Sequence, residues 1–149
     1  MGARPLVYVR QAVASGFDPI TDVLVERSRA VYRMLLEHDA AFLDLFHPAL
    51  EYHLPESFGP VLHGPWELLE FLDDAAASFD DPRPEPEEFL PSGDTLVVLG
   101  TWKGTATATG VRVEVPFAHV QRFRDGKFVH FRVFMDTATV LTAQGPGPG

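Results

Sequence analysis

The sequence predicts an α+β domain, because apolar residues have helical spacing in its first half and strand alternation in its second half. Apolar side chains recur every three or four residues from Ile20 to Leu35, and an amphipathic stretch follows Gly64-Pro65. From Thr95 to Met135, long β-branched runs are separated by glycine turns. At 149 residues the chain has the length of one domain, so we expect helices that pack on an antiparallel meander.

Charge and composition narrow the class of partner. The formal net charge is −9, from 21 acidic and 12 basic residues, and no cluster of Lys and Arg occurs. Nucleic acids and anionic membranes bind basic patches, so we expect neither as a partner. The chain lacks cysteine, and no apolar run approaches the roughly 20 residues of a membrane span. These features predict a cytoplasmic domain without disulfides or thiolate metal sites.

The N-terminal half is predicted to contain three helices. The first has Asp18 as its N-cap and Pro19 as its first helical residue. A second, short helix after Asp39 ends at Pro48 and precedes a strand over residues 49–54. The third follows a Gly-Pro pair. Its predicted buried face consists of Leu68, Leu69, Leu72, Ala75 and Phe79.

The C-terminal half is predicted to be an antiparallel meander. Residues 95–109 form one long strand, residues 111–123 return, and residues 127–135 form the last strand. The last two are joined by Arg124-Asp125-Gly126, which is typical of a hairpin turn. Pro116 inside the second long strand indicates an edge or a bulge at that position.

Three segments lie outside these elements. Residues 1–19 are expected to form an arm, and residues 80–88, rich in Asp, Glu and Pro, are interpreted as a solvated connection. Residues 143–149 end in Gly-Pro-Gly-Pro-Gly, which predicts a disordered tail. The domain proper is therefore expected to cover residues 20–142.

Three stretches of sequence carry a resemblance to a known family. They are LDLFHPALEYHLP before the Gly-Pro helix start, GDTLVVLG, and AHVQRFRDGKFVHFRVFMDTA. In this order the chain resembles the SnoaL-like branch of the NTF2-like, ketosteroid-isomerase superfamily over residues 20–142. The resemblance implies a cone-shaped fold, with a curved antiparallel sheet wrapped around three N-terminal helices and an internal apolar pocket. Members include isomerases, polyketide cyclases, epoxide hydrolases, dehydratases and binding proteins, so the site must decide the function.

The resemblance also shows which acid–base groups this chain lacks. The ketosteroid isomerases carry their base just before the proline that follows the first strand, where this chain has Leu54. The cyclases and epoxide hydrolases carry an acidic residue on the last strand, at the position of Val133. The oxyanion-donating position falls on His119 when Arg122-Phe123 is used as the anchor. None of the three family patterns is carried over intact.

His119 is the first candidate for acid–base chemistry. It alternates with Phe117 and Gln121 along a strand, so the three side chains share one face. A protonated imidazole can donate to an enolate oxygen, and a neutral one can act as a base. Gln121 would then orient a carbonyl or a bound water. The alternative is a core histidine hydrogen-bonded to a neighbour.

His53 and Asp136 are the other two catalytic candidates. By the resemblance, His53 lies near the water-positioning amide of the epoxide hydrolases, so we expect it to face the cavity as the base. The alternative is a surface or structural histidine. Strand parity directs Asp136 outward unless a bulge turns it into the site. Otherwise Asp136 pairs with Arg132 or caps the terminal turn through Thr137.

Seven residues are expected to bind the substrate in an apolar pocket. Tyr32 lies within one residue of the phenol donor that the resemblance implies, and is otherwise a core aromatic. Trp102 is either a wall of the pocket or a packing residue. The full set is Tyr32, Trp102, Phe117, Gln121, Phe131, Val133 and Met135.

The outer face of the sheet is expected to form a homodimer, as the resemblance implies. The residues assigned to this face mix apolar and basic types, which is too apolar for a solvated surface. They are Val113, Arg122, His130, Arg132 and Phe134.

No metal or other cofactor is expected. The six histidines show no HxxxH or facial-triad spacing, and the chain has no GxGxxG, Walker or GxSxG sequence. The sequence therefore favours a cofactor-independent enzyme of secondary metabolism that transfers a proton beside the carbonyl of a small hydrophobic metabolite. Isomerisation, cyclisation and dehydration all belong to this class. The alternative is a non-catalytic binding protein, since every familiar carboxylate is missing.

Overall fold

The computed structural model describes residues 19–146 of the chain. The predicted N-terminal arm therefore lies outside the described residues, except for Pro19, and so does the Asp18 cap. The predicted tail is described only as far as residue 146. Ala143, the first residue of the predicted tail, is the last residue of a helix.

Three α-helices lie in the described part of the chain. They are α1 (Pro19–Leu36), α2 (Gly64–Ser78) and α3 (Thr137–Ala143). The first and third predicted helices correspond to α1 and α2, whereas α3 was not predicted. The second predicted helix is a 3-10 helix over Ala40–Leu45, with Asp39 as its N-cap. None of the described helices is long and apolar enough to cross a membrane.

The strands of the described residues form a single curved sheet. They are β1 (Phe46–His53), β2 (Leu62–His63), β3 (Phe79–Ser92), β4 (Thr95–Ala106), β5 (Arg112–Arg124) and β6 (Lys127–Met135). Their order across the sheet is β2-β1-β6-β5-β4-β3, and the sheet does not close. All neighbours are antiparallel except β1 and β6, which are parallel. The long connection through α2 and the meander allows this parallel pair.

The meander follows its prediction closely. β6 has the predicted bounds, and Asp125 and Gly126 take φ values of 54° and 74° in the turn that precedes it. β4 ends at Ala106, earlier than expected. Pro116 pairs with β4, but pairing with β6 begins only at Phe117. The proline therefore lies where β5 has a single neighbour, as its missing N–H requires.

The prediction for residues 80–88 is wrong, because they belong to β3. This strand pairs with β4 from Phe79 opposite Ala106 to Ser92 opposite Thr95, with two register irregularities. Its composition suits an edge strand, since prolines and charges there prevent pairing with another molecule. Arg83 also forms ion pairs with two carboxylates of its own strand, those of Asp81 and Glu85.

The main core lies between one face of the sheet and the helices. Alternate strand residues supply most of it, with Val31 of α1 and Leu68 of α2 packed against them. A smaller cluster joins α3 to β5, and it includes Val113, which is 2% exposed rather than on the outer face. Val113 and Val115 are two residues apart in β5, so both side chains point to the inner face of the sheet.

Two grooves lie at the surface of the described residues. One groove of about 400 Å³ is bounded by β5 and α3, and another of about 290 Å³ by α2 and the segment before it. None of the predicted site residues lines either groove. Beneath the sheet, where the resemblance implies a pocket, aromatic side chains pack around His119.

Candidate functional site

Four buried polar side chains form a continuous hydrogen-bonded chain inside the core. Ser28 Oγ donates to Gln121 Oε1 at 2.7 Å, and Gln121 Nε2 donates to Tyr32 Oη at 2.9 Å. Tyr32 Oη lies 2.6 Å from His119 Nδ1. None of these residues is more than 6% exposed. We call Ser28, Gln121, Tyr32 and His119 the buried polar chain.

The positions of these residues follow from the periods of two elements. Ser28 and Tyr32 are one helical turn apart in α1, so they lie on the same face of the helix. His119 and Gln121 are two residues apart in β5, so both point to the same side of the sheet. Packing of α1 against that side brings the two pairs together.

The imidazole of His119 is surrounded by aromatic rings. The ring of Phe117 stacks on it at a centroid distance of 4.1 Å, and the ring of Phe131 lies 5.1 Å away. Burial in this environment lowers the pKa of His119 from 6.5 to about 3. The ring is therefore neutral near pH 7, and the protonated donor considered from the sequence does not form there. Burial also raises the pKa of Tyr32 well above 10, so the phenol keeps its proton.

Within residues 19–146, the second ring nitrogen of His119 has no hydrogen-bond partner. Tyr32 occupies Nδ1, and none of the described residues offers a partner to Nε2. Across the strand pair, His119 lies opposite Val133, the position where the family's acid is missing. Within residues 19–146, no carboxylate forms a hydrogen bond or ion pair with His119 or Tyr32.

Gly100 allows the close stacking of Phe117 on His119. Gly100 and Phe117 are directly opposite each other in β4 and β5. A Cβ atom at residue 100 would lie 2.7 Å from Cζ of Phe117 and would collide with the carbonyl oxygen of Glu85. The absence of a side chain therefore positions the ring that covers the imidazole.

The expectation that His53 faces the cavity is wrong. Tyr52 points into the core, so its neighbours Glu51 and His53 point to the opposite face of the sheet. There His53 Nε2 lies 3.3 Å from Glu51 Oε1, and His53 Nδ1 lies 3.2 Å from Nη2 of Arg132. The ring of His130 is 4.6 Å away. His53 therefore belongs to a polar network on the outer face and is separated from His119 by the sheet.

This outer network brings metal-ligating atoms together that the sequence spacing did not reveal. One atom each from Glu51, His53 and His130 lie within 4.8 Å of one another. They come from the neighbouring parallel strands β1 and β6, so no local motif marks them. Burial first, and then the neighbouring His53, lower the pKa of His130. The guanidinium of Arg132 beside His53 adds a positive charge that opposes a bound cation.

Asp136 is an exposed helix cap. Its Oδ1 accepts from the backbone N–H of Thr139 at 3.1 Å, and its Oδ2 accepts from Thr139 Oγ1 at 2.6 Å. These bonds hold the pKa of the Asp136 carboxyl below its ordinary value. The capping interpretation is confirmed, although the partner is Thr139 rather than Thr137. Neither an inward turn nor a pair with Arg132 is formed.

The predicted lining residues all contribute to the core. Phe117, Phe131 and Val133 are buried, and Met135 and Trp102 pack against them with partial exposure. Trp102 packs edge-on against Phe79 at 5.0 Å and joins the two core clusters, so it acts here as a packing residue. Four of the predicted binding residues contact the imidazole or belong to its hydrogen-bonded chain. They are Phe117, Phe131, Tyr32 and Gln121.

Ser28 is the member of the buried polar chain that sequence reasoning missed. It is the polar residue on the buried side of α1, between Leu24 and Val31, and it is fully buried. A serine one turn before Tyr32 on an otherwise apolar helical stripe is the signal that marks it. A buried hydroxyl at such a position requires a partner from another element.

Residues 28–131 match the SnoaL-like domain family. The chain belongs to this family. The matched segment contains the whole buried polar chain, from Ser28 in α1 to Gln121 in β5. None of the curated proteins compared matches the chain.

Solved structures confirm the α+β, NTF2-like fold. An NTF2-like protein of unknown function from Burkholderia pseudomallei is 28% identical, with a TM-score of 0.78 over 83% of this chain and 98% of that one. TerC, co-crystallized with polyporic acid, is 26% identical, with a TM-score of 0.76 over 83% and 99%. IdmH from Streptomyces antibioticus, provisionally described as a polyketide cyclase, is 22% identical, with a TM-score of 0.71 over 83% and 99%.

Proposed function

We propose that this protein is a cofactor-independent enzyme that transfers a proton beside the carbonyl of a small hydrophobic metabolite. The observation that carries the proposal is the buried His119, whose Nε2 has no partner among the described residues. An unpaired polar group in a protein interior costs about 1–3 kcal/mol, so its presence calls for a functional explanation. The carbonyl oxygen of a substrate would supply the missing partner.

The chemistry follows from where charge develops. When a proton leaves the carbon beside a carbonyl, negative charge accumulates on the carbonyl oxygen. A hydrogen-bond donor held in an apolar interior stabilises that charge, and such donors contribute about 3–4 kcal/mol in enzymes studied by mutation. The aromatic rings of Phe117 and Phe131 would stack on a flat apolar ligand.

The relatives support this substrate class. TerC was crystallized with polyporic acid, and its sequence is 26% identical to this chain. The SnoaL-like family and the provisional polyketide cyclase among its structural neighbours point to the same kind of metabolite. Isomerisation, cyclisation and dehydration of such a compound all begin with the same proton transfer.

Substrate binding requires the core around His119 to open. The imidazole is 6% exposed, and neither described surface groove reaches it. The rings of Phe117 and Phe131 would have to separate from the imidazole to admit a ligand. Binding should therefore perturb the resonances of these rings more than those of Phe79, which packs on Trp102 instead.

The second candidate function is ligand binding without catalysis. It is favoured by the lack of a carboxylate beside His119 in the described residues, together with Leu54 and Val133 at the family's acid positions. Such a protein would hold a carbonyl against Nε2 without removing a proton.

Deuterium exchange at the carbon beside the carbonyl separates the two functions. We would measure binding of polyporic acid and of a panel of aromatic ketones and diketones, then follow exchange of each bound ketone in heavy water by NMR. Accelerated exchange that is lost in His119→Ala, and kept in the exposed control His63→Gln, supports the enzyme. Binding without accelerated exchange supports the binding protein. Acceleration that is unchanged in His119→Ala overturns the role of His119.

A further inference from the structure

We propose that Ser28 and Gln121 are positioning residues that keep the proton of His119 on Nε2. His119 would then donate a hydrogen bond to the substrate oxygen rather than act as the general base. The catalytic consequence rests on the proposed function, whereas the position of the proton can be measured without any substrate.

The hydrogen bonds of the buried polar chain run from donor to acceptor in one direction, and Ser28 is the first donor. The hydroxyl of Ser28 donates to Oε1 of Gln121, and it donates to no other acceptor among the described residues. Ser78 shows the alternative, because its hydroxyl donates to the backbone carbonyl of Asp74 one turn earlier in α2. Ser28 makes no such backbone bond, so its proton is committed to Gln121.

The amide of Gln121 accepts from Ser28 and donates to Tyr32, so the direction continues. With its oxygen held by Ser28, the amide presents its NH₂ group to Tyr32 Oη at 2.9 Å. An NH₂ group can only donate, so the phenol oxygen accepts and must place its own proton elsewhere. The remaining partner of that oxygen in the described structure is His119 Nδ1.

The contact between Tyr32 and His119 fits a phenol donor. At 2.6 Å the contact is a short hydrogen bond, and the direction set by Gln121 makes the phenol its donor. A neutral imidazole that accepts at Nδ1 carries its single proton on Nε2. Nε2–H is thus a donor that has no partner in the described part of the chain, and aromatic rings surround it.

The opposite direction would give His119 the opposite role. If the Gln121 amide were turned, Tyr32 would donate to Gln121, and His119 would donate from Nδ1 to Tyr32. Nε2 would then be unprotonated and able to act as a base. The orientation of one buried amide therefore decides between donor and base, and Ser28 selects that orientation. The proton lost from the carbon would then pass to a water molecule that enters with the ligand, because no member of the buried polar chain is free to accept it.

Nitrogen NMR of the imidazoles tests this assignment directly. In ¹⁵N-labelled protein near pH 7, the His119 signals are identified by their loss in His119→Gln. We expect one protonated and one unprotonated nitrogen, with the proton on Nε2. A proton on Nδ1 in the wild-type protein would overturn the proposal.

Substitution of Ser28 tests whether it is a positioning residue. Ser28→Ala frees the amide to turn, so the two His119 nitrogen signals should move toward each other as the second tautomer becomes populated. Ser28→Cys keeps the volume and a weaker donor, so it should give a smaller shift and remains usable if the alanine variant fails to fold. The control Ser78→Ala should leave both signals unchanged. Unchanged signals in a folded Ser28 variant would show that Ser28 positions nothing.

The failures of the two proposals are distinguishable. A proton on Nε2 in a protein that never accelerates exchange of a bound ketone would remove the proposed catalysis and leave the tautomer assignment intact. Accelerated exchange in a protein whose Nε2 is unprotonated would keep the catalysis and overturn the donor role of His119.

Discussion

Tyr32 Oη and His119 Nδ1 lie 2.6 Å apart although 87 positions separate them in the chain. The contact joins α1 to β5 and is buried, so its loss leaves two polar groups without partners. It links the stability of the fold to the protonation of the candidate site.

Tyr32→Phe should destabilise the protein by about 1–3 kcal/mol, because it leaves His119 Nδ1 and the NH₂ group of Gln121 unpaired in the core. Tyr52→Phe is the matched control, since none of the described residues hydrogen-bonds to the hydroxyl of that buried phenol, and we expect little loss. Urea unfolding of both variants measures the difference. Equal losses would mean that the Tyr32 hydroxyl contributes nothing through its bonds.

The free energy of unfolding should depend on the charge of His119 in mild acid. Its pKa is about 3 in the folded state against 6.5 unfolded, so only the unfolded state takes up this proton between these values. This contribution to stability is complete above the unfolded pKa and falls with decreasing pH, by at most about 1.4 kcal/mol per pH unit. Unfolding from about pH 6.5 to 4.5 should show a shallower pH dependence in His119→Gln, and identical slopes would contradict the lowered pKa.

Gly100→Ala should cost about 1–3 kcal/mol, because the new Cβ meets the ring of Phe117 and the backbone of Glu85. The displaced ring should also move away from His119 and change the imidazole signals in the NMR spectrum. Adding Phe117→Leu should recover part of the stability, because it removes the contact with the ring while the contact with the Glu85 carbonyl remains. If the double variant is no more stable than expected from the sum of the single effects, the two residues are not coupled.

Asp136→Ala should lower stability by about 1 kcal/mol through loss of the α3 cap, without reducing exchange of a bound ketone. Asp136→Asn should keep most of that stability, because asparagine also caps helices well. Thermal unfolding and the exchange assay measure the two effects separately. Loss of exchange in a stable Asp136→Asn variant would return this carboxylate to the list of catalytic groups.

We propose that the outer sheet face binds a second copy of the chain. Phe134 is 50% exposed there and lies opposite Ala118, beside the outward Val120. Sedimentation should show a dimer at micromolar concentration, and Phe134→Glu should shift it to monomer. Leu36→Glu, at an exposed leucine of α1, should not. A monomeric wild-type protein would exclude this interface.

Local pattern determined most of the elements from the sequence alone. The alternation of residues 127–135 and the Asp125-Gly126 turn specify β6 because both signals act between near neighbours. Asp39 caps the 3-10 helix that follows it for the same reason. Residues 80–88 were misinterpreted because acidic and proline-rich composition reports exposure, and an edge strand is exposed while still paired on one side.

Strand parity in the sequence also placed His119 and Gln121 on one face of β5, but only the tertiary structure decided their partners. Ser28 and Gln121 are 93 positions apart, and their contact exists because α1 packs on that face of the sheet. His53 was placed by resemblance, and the side of the sheet it faces follows from how β1 pairs with β6. Periodicity is a property of neighbouring residues, whereas register and helix–sheet packing depend on burial of the whole core. The candidate site therefore forms only when α1 packs against β5.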